Sequence, residues 1–355
     1  MALKLMKGCE AIAEAAIQAG CRYFFGYPIT PQNDIPEYMS LRLPQVGGCF
    51  LQAESELAAI NMVYGASGAG ARVMTSSSSP GISLKQEGIS TIAAAELPCV
   101  IVNMMRGGPG LGNIQASQGD YFQAVKGGGH GDYHPIVIAP SSIQETVNMM
   151  GKAFDLADDY RIPVIILADG LIGQMMEPVE MPNNPDPVKK DKPWAATGYV
   201  PGGAKQRAII NSLYIETEDL DVLHTRLSAT YDRIKANEIM VETYNTEGAE
   251  FILCAYGTVA RVCKAAVRLC AEQGVKVGLV RPITLWPFPT EAVHDAVAQE
   301  SVKGVLTVEV SDGQMYEDIR LAVNGCKPTE FMGKAGSAIP AAEDIAERIM
   351  NMRRA

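Results

Sequence analysis

Short apolar runs alternate with longer stretches of three- and four-residue periodicity through the first half of the chain. Residues 23–25, 73–74, 100–104, 136–138 and 164–167 are strand-like, whereas residues 10–18 and 143–157 carry helical spacing. Apolar runs without polar alternation, separated by helices, predict a parallel sheet covered on both faces. Ser142 stands where it would cap the helix that follows it. Between residues 182 and 201, five prolines break the periodicity, and Gly198, Gly202 and Gly203 extend the break. An extended connector is expected there. Leu220, Leu223, Leu227, Tyr231 and Ile234 then recur at helical intervals, predicting an amphipathic helix laid against a domain or a partner. The strand–helix–strand pattern resumes over residues 251–255, 260–273, 275–280 and 305–310. The expected architecture is α/β with two parallel-sheet domains, residues 1–181 and 246–355, joined by a connector and helix over 182–245.

A chain of 355 residues with 47% hydrophobic content can fill two cores. Its net charge of −10 argues against a nucleic-acid or anionic-membrane partner, which would need a positive face. No apolar run approaches the roughly 20 residues of a membrane span, and the first seven residues lack a signal-peptide core. A cytoplasmic location is the expectation. The eight cysteines sit in apolar surroundings without a C-x-x-C pair, and read as reduced, mostly buried thiols. Cys263 and Cys270 would share a helix face, but metal and iron–sulfur sites need three or four close ligands, so none is expected here.

Three strand-like runs end in loops of glycine, proline, hydroxyl and charge: Gly26-Tyr-Pro-Ile-Thr-Pro31, the serines from Ser76 to Ser79, and Arg106 with the glycine-rich residues 107–113. Ligands of open α/β sheets bind at the carboxyl ends of strands, so chemistry is expected along one sheet edge. Residues 107–112 invite a dinucleotide reading, but position 113 is Asn113, and the acidic residue that would contact a ribose is missing. A guanidinium at a strand end instead suits a carboxylate. Glu54 and Glu56 open an apolar helix. They are either first-turn acids favoured by the helix dipole, or Glu56 is enclosed and reserved for a proton-sharing partner; periodicity alone does not decide. His130 and His134 have the spacing of a zinc pair, yet the surrounding glycines argue against a helix, and no metal site is expected. His130 and Asp132, on a glycine loop, are candidates for substrate contact. His224 and His294 read as helix-surface residues, and Ser76 to Ser79 lack the G-x-S-x-G context of a nucleophile.

Taken together, Gly26-Tyr-Pro-Ile-Thr-Pro31, Glu54-Ser-Glu56, Ser79-Pro-Gly-Ile-Ser83, Arg106-Gly-Gly-Pro109, Gln118-Gly-Asp120, His130-Gly-Asp132 and Ala139-Pro-Ser-Ser142 resemble, in order, the α subunit of a 2-oxoacid:ferredoxin oxidoreductase. Arg281-Pro-Ile-Thr-Leu-Trp-Pro-Phe-Pro289 resembles a segment of that family's transketolase-like second domain. The resemblance spans nearly the whole chain. It implies a thiamine diphosphate pyrimidine-binding domain followed by a transketolase C-terminal-like domain. Magnesium and the diphosphate would be held by a separate β subunit, and [4Fe–4S] clusters by partner chains including γ and a ferredoxin-like δ subunit.

By the same resemblance, Glu56 would hydrogen-bond N1′ of the aminopyrimidine as the catalytic carboxylate, with Tyr27, Pro28, Ile29 and Ser79 also lining the cofactor. Thr30, Arg106 and His130 would contact the 2-oxoacid, coenzyme A would take the acyl group, and ferredoxin the electrons. Gln32-Asn33 after the Ile-Thr-Pro, and the Gly-Gly-Pro-Gly-Leu-Gly-Asn113 loop, depart from pyruvate and 2-oxoglutarate forms and look more like the branched-chain, 2-oxoisovalerate type. Pyruvate- or 2-oxoglutarate-specific members, and the β-like subunit of a lipoyl-linked dehydrogenase, are the alternatives.

Overall fold

The computed structural model describes residues 3–182, 190–203, 206–336 and 338–354. It opens with β1 (Lys4–Lys7) and α1 (Gly8–Gln18), then alternates β2 (Tyr23–Gly26), α2 (Asp34–Arg42), β3 (Cys49–Gln52), α3 (Glu56–Gly68), β4 (Val73–Ser77), α4 (Ser79–Ala94) and β5 (Cys99–Met105). A short α5 (Tyr121–Val125) precedes β6 (Ile136–Ile138), α6 (Ile143–Tyr160), β7 (Pro163–Asp169), a short α7 (Gly170–Gln174) and β8 (Met176–Val179). Six of these strands pair in parallel in the order β6-β7-β5-β4-β2-β3. Their carboxyl ends therefore share one edge. β5 and β7 are buried along their whole length, which is why they read as continuous apolar runs. β3 is the edge strand; Cys49, Leu51 and Gln52 are exposed, and only the short run Cys49-Phe50-Leu51 marks it in the sequence. Ser142 caps α6 as expected, its Oγ accepting from the Glu145 amide at 3.1 Å.

The long helix α8 (Thr217–Asn237) buries Leu223, Leu227, Tyr231 and Ile234 and leaves Leu220 40% exposed. Tyr231 lies edge-on to His134, so the apolar stripe faces the first domain. Much of the expected connector, residues 183–189 with 204 and 205, lies outside the described residues. The part that follows is tied down by Lys192 to Asp158 at 2.6 Å and by Arg161 stacked 4.6 Å over Trp194.

After β9 (Val241–Tyr244) the second domain runs β10 (Phe251–Cys254), α9 (Gly257–Glu272), β11 (Val277–Pro282), β12 (Thr284–Trp286), α10 (Thr290–Val297), β13 (Gly304–Glu309), α11 (Gln314–Val323), β14 (Thr329–Gly333) and α12 (Ala342–Arg354). Its five-stranded sheet has the order β14-β13-β10-β11-β9, parallel except for β9, so this sheet recruits residues before position 246. β12 departs from it altogether. That strand crosses to the first sheet and pairs antiparallel with β6, making a seventh strand, and Trp286 stacks on His134 with ring centroids 4.7 Å apart.

The two sheets are also fastened by polar groups. Gln118 donates its side-chain amide to the Tyr256 carbonyl and accepts from the Val310 amide, both at 3.0 Å. Arg281, on β11 and 4% exposed, grips Glu145 of α6 with both terminal nitrogens, at 2.7 and 3.0 Å, while its Nε donates to Glu242 at 2.7 Å.

Candidate active site

The parallel sheet delivers the loop after β2, the start of α3, the start of α4 and the end of β5 to one edge. Ser55 caps α3, its Oγ accepting from the Ala58 amide at 3.2 Å, and Glu56 is the first residue of the helix. Glu54 is exposed, whereas Glu56 is only 6% exposed. The enclosed reading of Glu56 therefore holds. Its carboxylate lies against Gly81 near the start of α4: a Cβ there would fall 2.5 Å from Glu56 Oε1 and 2.1 Å from Ser77 Oγ. Only glycine lets α4 begin this close to the carboxylate.

Ser79 is 8% exposed and already engaged. Its Oγ donates to Asp120 Oδ2 at 2.6 Å and accepts from the Arg106 amide at 3.0 Å. Asn103 completes this set, donating to Asp120 at 2.9 Å and accepting from the Ser79 amide at 3.2 Å. Burial pushes the Asp120 carboxyl above its ordinary value, against the pull of the Ser79 and Asn103 hydrogen bonds. Sequence reasoning counted Asp120 only as part of a motif and missed Asn103, because nothing in a strand's apolar run marks the one polar residue that will meet a loop 17 positions later.

Arg106 is buried at 8% exposure. Its two terminal nitrogens donate to main-chain carbonyls, of Thr30 at 2.9 Å and Leu111 at 3.0 Å, while its Nε has no partner. Arg106 thus joins the loop after β2 to its own glycine loop, which closes through the Asn113 amide onto the Gly107 carbonyl at 2.9 Å. Thr30 and Pro28 are exposed, with Tyr27 and Ile29 half-buried beside them. Gln32, singled out in the sequence only as a substrate clue, is wholly buried and braces this loop: it accepts from Ser76 Oγ at 2.5 Å and donates to the Tyr27 carbonyl at 3.2 Å.

His130 stands apart from this cluster. Its carbonyl accepts from Ser90 Oγ at 2.7 Å, and Ser90 lies about 16 Å along α4 from Ser79 at 1.5 Å per residue. His130 itself is exposed on the glycine loop. The edge thus gathers Tyr27, Pro28, Ile29, Thr30, Glu56, Ser79 and Arg106, but not His130.

A second group escaped sequence reasoning. Lys85 on α4 is wholly buried, and its Nζ donates to Thr75 Oγ1 of β4 at 3.0 Å. Burial pushes this ammonium down to about 8, even though the Glu56 carboxylate, and to a lesser degree Cys99, act in the opposite direction. A lysine between leucine and glutamine in a helix carries no sequence signal of burial.

The edge has the features of a polar ligand site. Among the described residues, Ser77 Oγ, Ser78 Oγ and Arg106 Nε are buried at this edge without hydrogen-bond partners, and Ser77 Oγ lies with the Glu56 carboxylate against Gly81 of α4. Buried polar atoms are ordinarily paired. Unpartnered hydroxyls and an enclosed carboxylate on one sheet edge fit an aminopyrimidine, whose ring nitrogens and amine both donate and accept.

Comparison with known proteins agrees. Residues 14–243 match the model of the pyruvate flavodoxin/ferredoxin oxidoreductase thiamine diphosphate-binding domain, and residues 249–345 that of pyruvate:ferredoxin oxidoreductase core domain II. The chain is 47% identical to ketoisovalerate oxidoreductase subunit VorB of Methanothermobacter thermautotrophicus, over 98% of this chain and 97% of that protein. It is 36% identical to 2-oxoglutarate synthase subunit KorA of Methanocaldococcus jannaschii, over 99% and 100%. Among solved structures, a 2-oxoglutarate:ferredoxin oxidoreductase from Magnetococcus marinus, with 2-oxoglutarate, coenzyme A and succinyl-CoA bound, superposes with a TM-score of 0.87 at 26% identity, covering 99% of this chain and 65% of that one. The two-domain α/β fold, the buried carboxylate at the sheet edge and these matches lead to one conclusion: the chain belongs to the family of thiamine-dependent 2-oxoacid:ferredoxin oxidoreductases.

Proposed function

We propose that this chain is the pyrimidine-binding subunit of an oxidoreductase that converts a branched-chain 2-oxoacid, 3-methyl-2-oxobutanoate, into its acyl-coenzyme A and carbon dioxide, passing electrons to ferredoxin. The observation that carries the reading is the buried Glu56 carboxylate, set among unpartnered serine hydroxyls, in a chain 47% identical to a ketoisovalerate oxidoreductase subunit. When bound, thiamine diphosphate supplies the carbanion chemistry that releases carbon dioxide. Glu56 holds the proton at N1′ of its aminopyrimidine, a general acid–base role that requires a positioned carboxylate shielded from water. Ser77 and Ser78 offer the remaining polar contacts, and Tyr27, Pro28 and Ile29 the ring surface. Ser79 acts indirectly, because its hydroxyl is committed to Asp120 and Arg106. Arg106 keeps its Nε for the substrate carboxylate beside Thr30. A β subunit would complete the site with magnesium and the diphosphate, and the clusters would sit in γ and ferredoxin-like δ partners, in the cytoplasm.

A 2-oxoglutarate substrate has two points in its favour, the likeness to an enzyme solved with that compound and the 36% identity to a 2-oxoglutarate synthase subunit. A second carboxylate calls for a second cation, however. Residues 26–32, 53–56, 77–79 and 106–113, which form this edge, contain Arg106 alone. The test is purification of the complex from its source and assay of viologen reduction with a panel of 2-oxoacids, with and without thiamine diphosphate. Preference for 3-methyl-2-oxobutanoate is expected. Preference for 2-oxoglutarate would overturn the substrate, and transfer to lipoyl protein alone would overturn the reaction.

A further inference from the structure

Lys85 is the only lysine buried to this degree among the described residues. It shares one face of α4 with Gly81 and Gly88, at spacings of four and three, and that face meets α3. Glu56 fills the space at Gly81, and Ile60, four residues further along α3, fills the space at Gly88, where a Cβ would fall 2.4 Å from Ile60 Cγ2. The Lys85 stem thus occupies the α3–α4 seam directly behind Glu56. Its ammonium is anchored by Thr75 on β4 and makes no contact ion pair. Three groups face it: the Glu56 carboxylate from α3, the Thr75 hydroxyl from β4 and the Cys99 thiol from β5, the last pushed up to about 12 by burial and therefore neutral. Burying an ammonium without a contact partner carries a large desolvation penalty, and a methionine would fill the same space without it. The charge itself must be what the site uses.

We propose that Lys85 is a positioning residue for the reaction: its ammonium, anchored on Thr75, is the fixed counter-charge that holds the Glu56 carboxylate at the sheet edge, ready to share the proton at N1′ of the aminopyrimidine. The proposal rests on the reading of Glu56 given above. It gives Lys85 no contact with substrate.

The test uses the complex assembled with its natural partners. The readout is exchange of the C2 proton of bound thiamine diphosphate into deuterium oxide, followed by quench and proton NMR, beside thermal unfolding and bound thiamine content. Lys85→Met is expected to slow exchange and kcat by about tenfold, the equivalent of 1.4 kcal/mol. The KM for the 2-oxoacid and the thiamine content should stay within about twofold, and Tm should be unchanged or higher. In the native complex the exchange rate should fall as pH rises through about 8, where the ammonium loses its proton, and this limb should vanish in Lys85→Met. Thr75→Val, which keeps the charge but frees its anchor, should shift both readouts in the same direction by a smaller amount, and carries the test if Lys85→Met does not assemble. Native exchange rates and an intact alkaline limb in the variants overturn the proposal. So does a loss of exchange that only parallels lost Tm and thiamine content, since that marks a purely structural role. Glu56→Gln separates the two layers. Native exchange in that variant would defeat the reading of Glu56, whereas its loss together with native behaviour in Lys85→Met would defeat Lys85 alone.

Discussion

At the seam between the sheets, Gln118 uses both ends of its amide and Arg281 uses all three of its guanidinium nitrogens against two carboxylates. At the carboxyl edge of the first sheet, Ser77, Ser78 and the Nε of Arg106 are just as buried and have no partners. Both regions place polar groups away from water, and they differ in whether the protein itself completes the hydrogen bonds. A completed set stiffens a junction; an incomplete one is held ready for a ligand. Substitutions at the edge should therefore cost rate, and substitutions at the seam should cost stability.

The largest separation should come from Glu56→Gln, which keeps shape and burial but cannot take up the proton. Viologen reduction by the assembled complex should fall by about 10²–10⁴, with Tm unchanged. A drop in Tm without loss of rate would erase the distinction between the regions. Arg281→Met should do the reverse, stranding Glu145 in the seam while Glu242 keeps Lys264: a loss of about 3–5 kcal/mol in denaturant unfolding, with turnover per folded complex preserved. Gln118→Leu leaves the Val310 amide buried and unpaired and the Tyr256 carbonyl with only the Ala260 amide at 3.4 Å, and should cost about 1–3 kcal/mol. Ser77→Ala removes a hydroxyl that has no partner within the chain. Stability should hold or rise, while thiamine affinity measured by calorimetry falls by about fivefold, one net hydrogen bond.

The smallest effect concerns pH. Burial works to raise the Glu145 carboxyl, but hydrogen bonds from Arg281 and its charge outweigh this and hold it below its ordinary value. A depressed carboxyl adds stability that is fully present above the unfolded value of about 4.3 and is lost as pH falls through the folded one. Asp169 and Glu309, both raised by burial, push the other way. The difference in unfolding between native and Arg281→Met complexes should therefore shrink as pH drops from about 5 toward 3. A constant difference would show that the seam is held by packing rather than by charge.

Much of the fold was legible because its strands are buried on both faces. β5, β6, β7, β10 and β13 appear as mainly apolar runs, and the stripe of α8 as Leu223, Leu227, Tyr231 and Ile234. The exposed strand β3 was not, since an edge strand needs no apolar pattern. β12 was not expected as a strand and fell within the second domain's bounds, because three residues carry nothing to say which of two sheets will claim them.

At the site, residue type and order were enough to expect Thr30, Glu56 and Arg106 along one sheet edge, where the structure has them, and to read residues 107–112 against a dinucleotide cradle. Local sequence fixes which groups stand at strand ends, because strand and turn propensities act over a few residues. Only the tertiary structure decided that Glu56 is enclosed while Glu54 is exposed, that Ser79 is taken by Asp120, and that Lys85 sits behind the carboxylate. Those outcomes depend on the close approach of α3 to α4 across two glycines and on a loop folding back over β5. Burial and hydrogen-bond partnership are properties of the space between elements, and no stretch of sequence contains that space.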